Sequence, residues 1–481
     1  RCERTSPTLG VVPSLKSACR PGALLFRVYC YTDALKRICL PRRFPSEFGT
    51  SITPHRLNTS EKSGIFFSVL DTQPFHCLIS YYLTRMSMKN RILLSLIVLV
   101  SSLILISCGP AKLADAPWKA TIDSLRNHYA PDRRLGVFNV SWKQQGEMLI
   151  VKGEVDNAKA KDDALSTIRK ASESEVVDSV LILPDPQLGT LKFGVVAVSV
   201  ANVRSRPSHA AELITQALMG MVLKLLKKQG NSYFVQLPDN YLGWLPERSI
   251  KVTTNEGVDE WKAARKVITI STFALAREQP NGTSTPVCDI VAGALLKQTG
   301  TAGNWVGVEL PDGRKGYVEQ PAVQDYERWK HTRSLTPENI EKTAKLFMGV
   351  PYLWGGTSPK GMDCSGFTKT VFRMNGLELT RDADQQSHQG EEVEPGKEFE
   401  SLKKGDLLFF GARATGEKPE DVDHVGISLG KKEFIHTPGG AWVKIDSFDP
   451  AAPNYNENLL KIFLRARRVI GTRQVPEVAT K

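Results

Sequence analysis

The sequence predicts a multidomain α+β protein, and three observations carry that prediction. Between residues 191 and 325, short strand-like runs are broken by Gly, Pro and Asn, and the runs recur. Val235-Gln236-Leu237-Pro238-Asp239 returns as Val308-Glu309-Leu310-Pro311-Asp312, and Gly243-Trp244-Leu245 returns at the same offset as Gly316-Tyr317-Val318. Ahead of this repeat, residues 117–190 read helix, strand, strand, helix, strand. Behind it, from about residue 333, two helical segments precede a series of strands. Short alternating runs at regular spacing indicate small all-β barrels, and helices followed by consecutive strands indicate an α+β domain.

Residues 1–87 show no sustained period of 2 or 3.6 and hold five of the eight cysteines without metal-ligand spacing. They carry 12 Lys+Arg against 5 Asp+Glu. One reading is a basic arm for nucleic acid or anionic lipid. The preferred expectation is sequence upstream of the true start, because a secretion leader follows at once. Met88-Lys89-Asn90-Arg91 is a short basic region. Ile92 to Ile106 is an almost continuous apolar run, short for a membrane span and suited to a signal peptide over 88–107. The run ends in Leu105-Ile106-Ser107-Cys108-Gly109, which resembles the bacterial lipobox. That resemblance implies that Cys108 is lipidated and becomes the mature N-terminus, with Gly109 favouring the outer membrane on its periplasmic side. From Cys108 onward the chain has 49 basic and 46 acidic residues, so no nucleic-acid partner is expected. The remaining cysteines are Cys108, Cys288 and Cys364, and no disulfide is expected among them.

The segment 108–190 is a linker followed by a small α+β module: helix at Trp118–His128, strands at Leu135–Trp142 and Met148–Val155, helix at Lys159–Ser172, strand at Val176–Leu183. It shows no residues that carry chemistry. The repeat gives two barrels, 191–255 and 262–325, with Trp261 to Lys266 expected to link them. With Asn202-Val203-Arg204-Ser205-Arg206-Pro207 at the front of the first copy, the pair resembles bacterial Src-homology-3-like barrels. Cys288 lies in an apolar strand and is read as structural.

The domain over 333–472 opens at Thr336-Pro337, a fitting N-cap and first helical residue. Met362-Asp363 reads as a turn and Cys364–Met374 as a helix with Phe367, Val371 and Phe372 on its apolar side. Strands follow at Leu407–Phe410, His424–Leu429, Glu433–His436, Trp442–Ile445 and Ile462–Arg467. A thiol attacks carbonyl carbon only as thiolate, so it needs an imidazole or a helix N-terminus to lower its pKa. Cys364 has the helix start, and His424 and His436 lie on adjacent strands that can present both rings on one face. One Cys and two His also suit zinc, but structural zinc sites usually show close-spaced ligand pairs, and none occurs. No metal and no cofactor are expected. His388, in a polar run, is read as surface.

Pro351-Tyr352-Leu353-Trp354-Gly355-Gly356, Asp363-Cys364-Ser365-Gly366-Phe367, Leu402-Lys403-Lys404-Gly405-Asp406-Leu407 and His424-Val425-Gly426-Ile427 follow one another as in the NlpC/P60 family of bacterial cell-wall cysteine peptidases, which residues 333–470 resemble. The resemblance implies a papain-like fold with Cys364 as nucleophile, His424 as general base and His436 as the orienting residue. It also implies Tyr352 and Ser365 near the oxyanion site, and Trp354 against substrate. Two barrels ahead of such a domain resemble the subgroup that cleaves cell-wall stem peptides between γ-D-glutamate and the diamino acid. In that subgroup the first barrel helps hold the ammonium of an N-terminal L-alanine. The residues that fit this role here are Asp382, Tyr241 and Glu212, since an ammonium needs charge-assisted acceptors. The implied partners are peptidoglycan stem peptides and, through the lipid, a membrane. Two other classes stay open: a wall-binding scaffold, against which the intact Cys364, His424 and His436 argue, and an acyltransferase using the same thiol.

Overall fold

The computed structural model describes residues 116–472. The expectations for residues 1–87, for the leader over 88–107 and for Cys108 lie outside the described residues. Among the described residues, no helix is long and apolar enough to cross a membrane.

The N-terminal module consists of α1 (Lys119–Tyr129), β1 (Phe138–Gln145), β2 (Met148–Val155), α2 (Ala158–Ala171) and β3 (Glu175–Ile182). β1 and β2 form a hairpin, and α2 crosses over so that β3 lies parallel to β2. Asn157 caps α2, and Ala160, Ala164, Leu165 and Ile168 bury its inner face at helical spacing against Val151 and Val155.

The first barrel comprises β4 (Phe193–Val196), β5 (Val200–Arg204), β6 (Leu213–Leu218), β7 (Val222–Gln229), β8 (Ser232–Gln236), β9 (Leu242–Pro246) and β10 (Ile250–Thr253). After the helix α3 (Asn255–Ala263), the second comprises β11 (Lys266–Thr269), β12 (Phe273–Arg277), β13 (Pro286–Val291), β14 (Leu295–Ala302), β15 (Trp305–Glu309), β16 (Lys315–Glu319) and β17 (Val323–Asp325). The strand order β10-β4-β7-β8-β9-β5-β6 matches β17-β11-β14-β15-β16-β12-β13 position for position, and every strand starts at the same interval after its counterpart. The expected link at Trp261 to Lys266 is corrected. Trp261 is buried within α3 and its Nε1 donates to the Gly220 carbonyl at 3.1 Å. Lys266 opens β11, and its buried ammonium satisfies three carbonyls at the end of α3, those of Trp261, Lys262 and Ala264.

Helix α4 (Tyr326–Thr332) leads to the C-terminal domain. There α5 (Pro337–Lys345) and the short ladder β18 (Thr357–Ser358) and β19 (Gly361–Met362) precede α6 (Cys364–Met374) and α7 (Ala383–Gln386). The expected turn at Met362 is thus a strand residue paired with Thr357, and only Asp363 stands at the helix start. The sheet of β20 (Glu391–Val393), β21 (Leu407–Ala412), β22 (Asp421–Gly430), β23 (Glu433–His436), β24 (Lys444–Ser447) and β25 (Phe463–Arg468) is antiparallel throughout, in the order β20-β25-β21-β22-β23-β24. A short helix, α8 (Glu457–Lys461), precedes the last strand. Phe367, Val371 and Phe372 of α6 are fully buried against Phe409, Val425 and Ile435 of the sheet. Each such side chain contributes roughly 1.5–3 kcal/mol of burial, which fixes α6 on the sheet. The expected strand at Trp442–Ile445 is displaced to Lys444–Ser447, because Trp442 stays 56% exposed and makes only an isolated bridge to Pro351.

Candidate active site

Asp363 caps α6: its Oδ1 accepts from the Gly366 N–H at 2.6 Å, and its Oδ2 accepts from the Gly355 N–H at 2.9 Å. Both glycines are sterically required. A Cβ at Gly366 would lie 2.0 Å from the Gly356 carbonyl oxygen, and one at Gly355, with φ +76°, would lie 2.3 Å from the Leu213 carbonyl oxygen of the first barrel. The capping carboxylate also receives the buried guanidinium of Arg381, whose Nη2 lies 2.6 Å from Oδ2. Arg381 further donates to Ser365 Oγ at 2.9 Å and, through Nε, to Thr215 Oγ1 of the first barrel at 3.1 Å. The Ser365 hydroxyl is therefore turned into this ion-pair network. One helical step turns a side chain about 100° from its predecessor.

Cys364 occupies the first position of α6 and is 8% exposed. Its thiol donates to the main-chain carbonyl of Asp423 at 3.9 Å, and the N–H groups of Ser365 and Val425 point at the sulfur. The helix start acts in the expected direction through the Ser365 N–H, but burial outweighs it. Burial, with the Asp363 carboxylate next in weight, pushes the thiol up to about 12 against the pull of those N–H groups. Burial also pushes His424 down to about 3, with His436 adding to it. Both shifts favour the uncharged forms, thiol and neutral imidazole.

The two imidazoles meet because of the pleat. Gly426 on β22 stands opposite His436 on β23, and His436 stands opposite Lys444 on β24. His424 and Asp446 are each two residues from those partners, so all three side chains share one face in a diagonal line. His424 Nε2 lies 2.8 Å from His436 Nδ1, and His436 Nε2 lies 3.0 Å from Asp446 Oδ2. Asp446 also accepts from Asn456 Nδ2 at 2.6 Å and pairs with Lys444 at 2.9 Å. With the His436 bond, these hold its carboxyl well below the usual carboxylate range despite burial. An ionised Asp446 accepts, so His436 Nε2 carries hydrogen. Neutral His436 then accepts at Nδ1, so His424 donates from Nε2. That assigns the free lone pair of His424 to Nδ1. Asp446 escapes the sequence reading, because the strand expected there ends one residue before it. Its strand, Lys444-Ile445-Asp446-Ser447, is polar at three of four positions, so the sequence carries no signal that singles Asp446 out.

Asp382 caps α7, as a turn residue would, and also faces the first barrel: Tyr241 Oη donates to its Oδ2 at 2.9 Å. Burial raises the carboxyl of Asp382, against the pull of Arg381, and burial with Asp382 nearby raises the Tyr241 phenol. Glu212 accepts from Trp354 Nε1 at 2.9 Å, and Trp354 is 61% exposed. The first barrel thus meets the C-terminal domain at Tyr241–Asp382 and Glu212–Trp354 as well as at Thr215–Arg381. Gln216 adds a further contact, its Oε1 accepting from Thr357 N and Ser358 Oγ. Tyr352 is half-buried, its N–H donates to the Ala441 carbonyl at 2.8 Å, and burial, then the nearby Cys364 sulfur, pushes its phenol up to about 12. His388 is exposed, and half-buried Cys288 lies in β13, its thiol pushed up to about 11 by burial. Among the described residues, no group of three or more His, Cys, Asp or Glu is placed to hold a metal ion.

Comparison with known proteins agrees with this architecture. The model of the NlpC/P60 family matches residues 349–461, and that of the bacterial dipeptidyl-peptidase Sh3 domain matches residues 203–250. The chain is 28% identical over 277 residues to the dipeptidyl-peptidase 6 of Lysinibacillus sphaericus, covering 55% of this chain and 95% of the relative. It is 30% identical over 240 residues to the gamma-D-glutamyl-L-lysine dipeptidyl-peptidase of Bacillus cereus, covering 48% and 69%. A crystal structure of an NlpC/P60 family protein from Bacillus cereus shares the fold with a TM-score of 0.50 at 24% identity, over 58% of this chain and 99% of that one. With a papain-like domain carrying a thiol at a helix start, and with a relative matched over two thirds of its length, the chain belongs to the NlpC/P60 family of cysteine peptidases.

Proposed function

We propose that this protein is a thiol hydrolase of peptidoglycan peptides that cleaves the amide between γ-D-glutamate and the following diamino acid, on fragments that begin with a free L-alanine. The observation that carries the reading is the Tyr241–Asp382 pair beside the Cys364 helix, which supplies a phenol oxygen and a half-buried carboxylate for an ammonium. Glu212 is the third acceptor at that end. The names of the relatives in Lysinibacillus sphaericus and Bacillus cereus favour the same class of bond.

In this reading His424 Nδ1 takes the proton of Cys364 as the sulfur attacks the γ-glutamyl carbonyl carbon. The charge separation creates a thiolate–imidazolium pair in a site of low dielectric, where each charge stabilises the other. His436 and Asp446 hold the imidazole in the required tautomer and oppose its raised charge, as orienting groups. Tyr352 lies where the oxyanion develops. Collapse of the tetrahedral intermediate breaks the C–N bond, and His424 gives its proton to the leaving amine. Water, deprotonated by His424, then releases the γ-glutamyl carboxylate and restores the thiol.

The test is the purified enzyme on the tripeptide L-alanyl-γ-D-glutamyl-diamino acid, with products identified by mass. A dipeptide and the free diamino acid are expected, with Cys364→Ala lowering turnover by roughly 10⁴ or more. Intact tripeptide would favour a binding scaffold. Transfer of the dipeptidyl group to an added amine in preference to water would favour an acyltransferase. Cys108 is proposed as a lipid attachment site, so Cys108→Ser should move the protein out of the membrane fraction; unchanged membrane retention would contradict that proposal.

A further inference from the structure

The loop between α1 and β1 of the N-terminal module reaches the end of the cleft where Asp382 stands. The main-chain carbonyl of Arg134 accepts from the Leu242 N–H of the first barrel at 2.8 Å, next to Tyr241. Its guanidinium Nη1 donates to Asp382 Oδ2 and to Asp384 Oδ1, each at 2.9 Å, and Nη2 donates to Asp384 Oδ2 at 2.7 Å. Asp132 in the same loop accepts from Arg134 Nη2 at 2.7 Å and from Gln385 Nε2 at 2.6 Å. Three domains converge on the Asp382 carboxylate, which lies 248 positions from Arg134 and 141 from Tyr241.

We propose that Arg134 is a positioning residue for the amine end of the cleft, fixing the Asp382 carboxylate from behind so that the N-terminal module is a working part of the enzyme. The inference rests on the amine-reading function proposed above. Asp382 Oδ2 already receives Tyr241 Oη; Arg134 Nη1 adds a second, charged donor to the same oxygen, while the guanidinium fork closes on the neighbouring Asp384 carboxylate and so fixes where Nη1 stands. The titratable and charged groups around Asp382 are Arg134 and Asp132 from the module, the neutral Tyr241 from the barrel, Arg381 and Asp384 on its own segment, and Asp363 beyond Arg381. β22, packed on α7, carries Asp421, Asp423 and His424. Two guanidiniums stand against four carboxylates, Asp132, Asp363, Asp382 and Asp384. The cluster therefore keeps an excess of negative charge, and Arg134 orders Asp382 without cancelling its attraction for an ammonium.

Burial raises the Asp382 carboxyl, and Arg134 is among the groups that oppose the rise. Ammonium binding needs the ionised form, so loss of Arg134 should move the acid limb of kcat/KM to higher pH. The Arg134 side chain is 36% exposed, so solvent screens its charge and keeps that movement small. The test compares wild type, Arg134→Met and Arg134→Lys on the free-amine tripeptide and on its N-acetylated form. Arg134→Met is expected to raise KM for the free-amine peptide roughly threefold to tenfold with kcat nearly unchanged, to move its acid limb upward, and to leave both constants for the acetylated peptide unaltered. Arg134→Lys keeps the charge and loses the fork, so it should restore the acid limb and only part of the KM. Unchanged KM and acid limb in Arg134→Met, while wild type still prefers the free amine, would overturn the role of Arg134 alone. An equal loss of kcat on both peptides would mean a merely structural contact and overturn it too. Equal rates of wild type on the two peptides would remove the amine-reading function and this inference together. Should Arg134→Met fail to fold, Arg134→Lys carries the test, and an unchanged KM there would overturn the proposal.

Discussion

The two barrels share a strand order and a constant spacing between equivalent strands, yet the same face of each docks differently. In the first, Glu212, Thr215, Gln216 and Tyr241 bond to Trp354, Arg381, Thr357 and Asp382 of the catalytic domain. Their counterparts in the second are Thr285, Cys288, Asp289 and Arg314. Asp289 accepts from Ser199 Oγ of the first barrel at 2.8 Å and pairs with Lys360 at 2.7 Å, while Arg314 donates to the Ala197 carbonyl. One barrel face therefore serves twice in a head-to-tail series: the second barrel seats on the first, and the first on the catalytic domain. A repeated fold carries no site by itself. A few side chains on a shared docking face decide which copy shapes the cleft.

The contrast is tested hardest at Arg381, which joins Thr215 of the first barrel to the Asp363 cap. Arg381→Met leaves a buried carboxylate without its cation and should cost about 3–5 kcal/mol in denaturant unfolding. The second barrel's ion pair, Lys360–Asp289, is partly open to solvent, so Lys360→Met should cost about 1 kcal/mol or less. Equal losses would erase the distinction between the two docking faces. Next in size, Tyr241→Phe removes one donor from Asp382 and one acceptor from the proposed ammonium. It should lower kcat/KM for the free-amine tripeptide by about tenfold or more, while the matching Arg314→Ala stays within about twofold. Steady-state kinetics on the two variants decides it.

A smaller effect should be indifferent to both barrels. His424 and His436 are held neutral, with pKa values below their unfolded value near 6.5. The unfolded chain then binds more protons, so stability should fall as pH drops below about 6.5, by at most about 1.4 kcal/mol per pH unit for each ring. Asp446, depressed in the folded state, adds its own loss only at lower pH, below about 4. His424→Gln should flatten the pH 6.5–4 segment of the melting curve series, and Tyr241→Phe should leave it unchanged.

What the sequence revealed and what it hid divide along physical lines. Local pattern located the Cys364 helix to the residue and the strands bearing His424 and His436, because capping, periodicity and turn chemistry act over a few residues. The repeat was legible because equal spacing survives sequence divergence. Tyr241 and Asp382 were legible only through family resemblance, since nothing local marks a Tyr and an Asp 141 residues apart as partners. Asp446 was lost to a two-residue register error at Trp442. The Arg381–Asp363 pair and Arg134 left no sequence signal at all. Their partners are set by how domains dock, and a charged residue in a loop reads as surface until its neighbour is known.

Everything proposed for specificity turns on the first barrel making the enzyme read a free amine. The most direct measurement is kcat/KM of the wild-type enzyme, and of Tyr241→Phe, on L-alanyl-γ-D-glutamyl-diamino acid and on the same peptide N-acetylated. A wild-type preference for the free amine of about tenfold to a hundredfold is expected, narrowed in Tyr241→Phe. Equal wild-type rates on the two peptides would contradict it and leave a general wall endopeptidase.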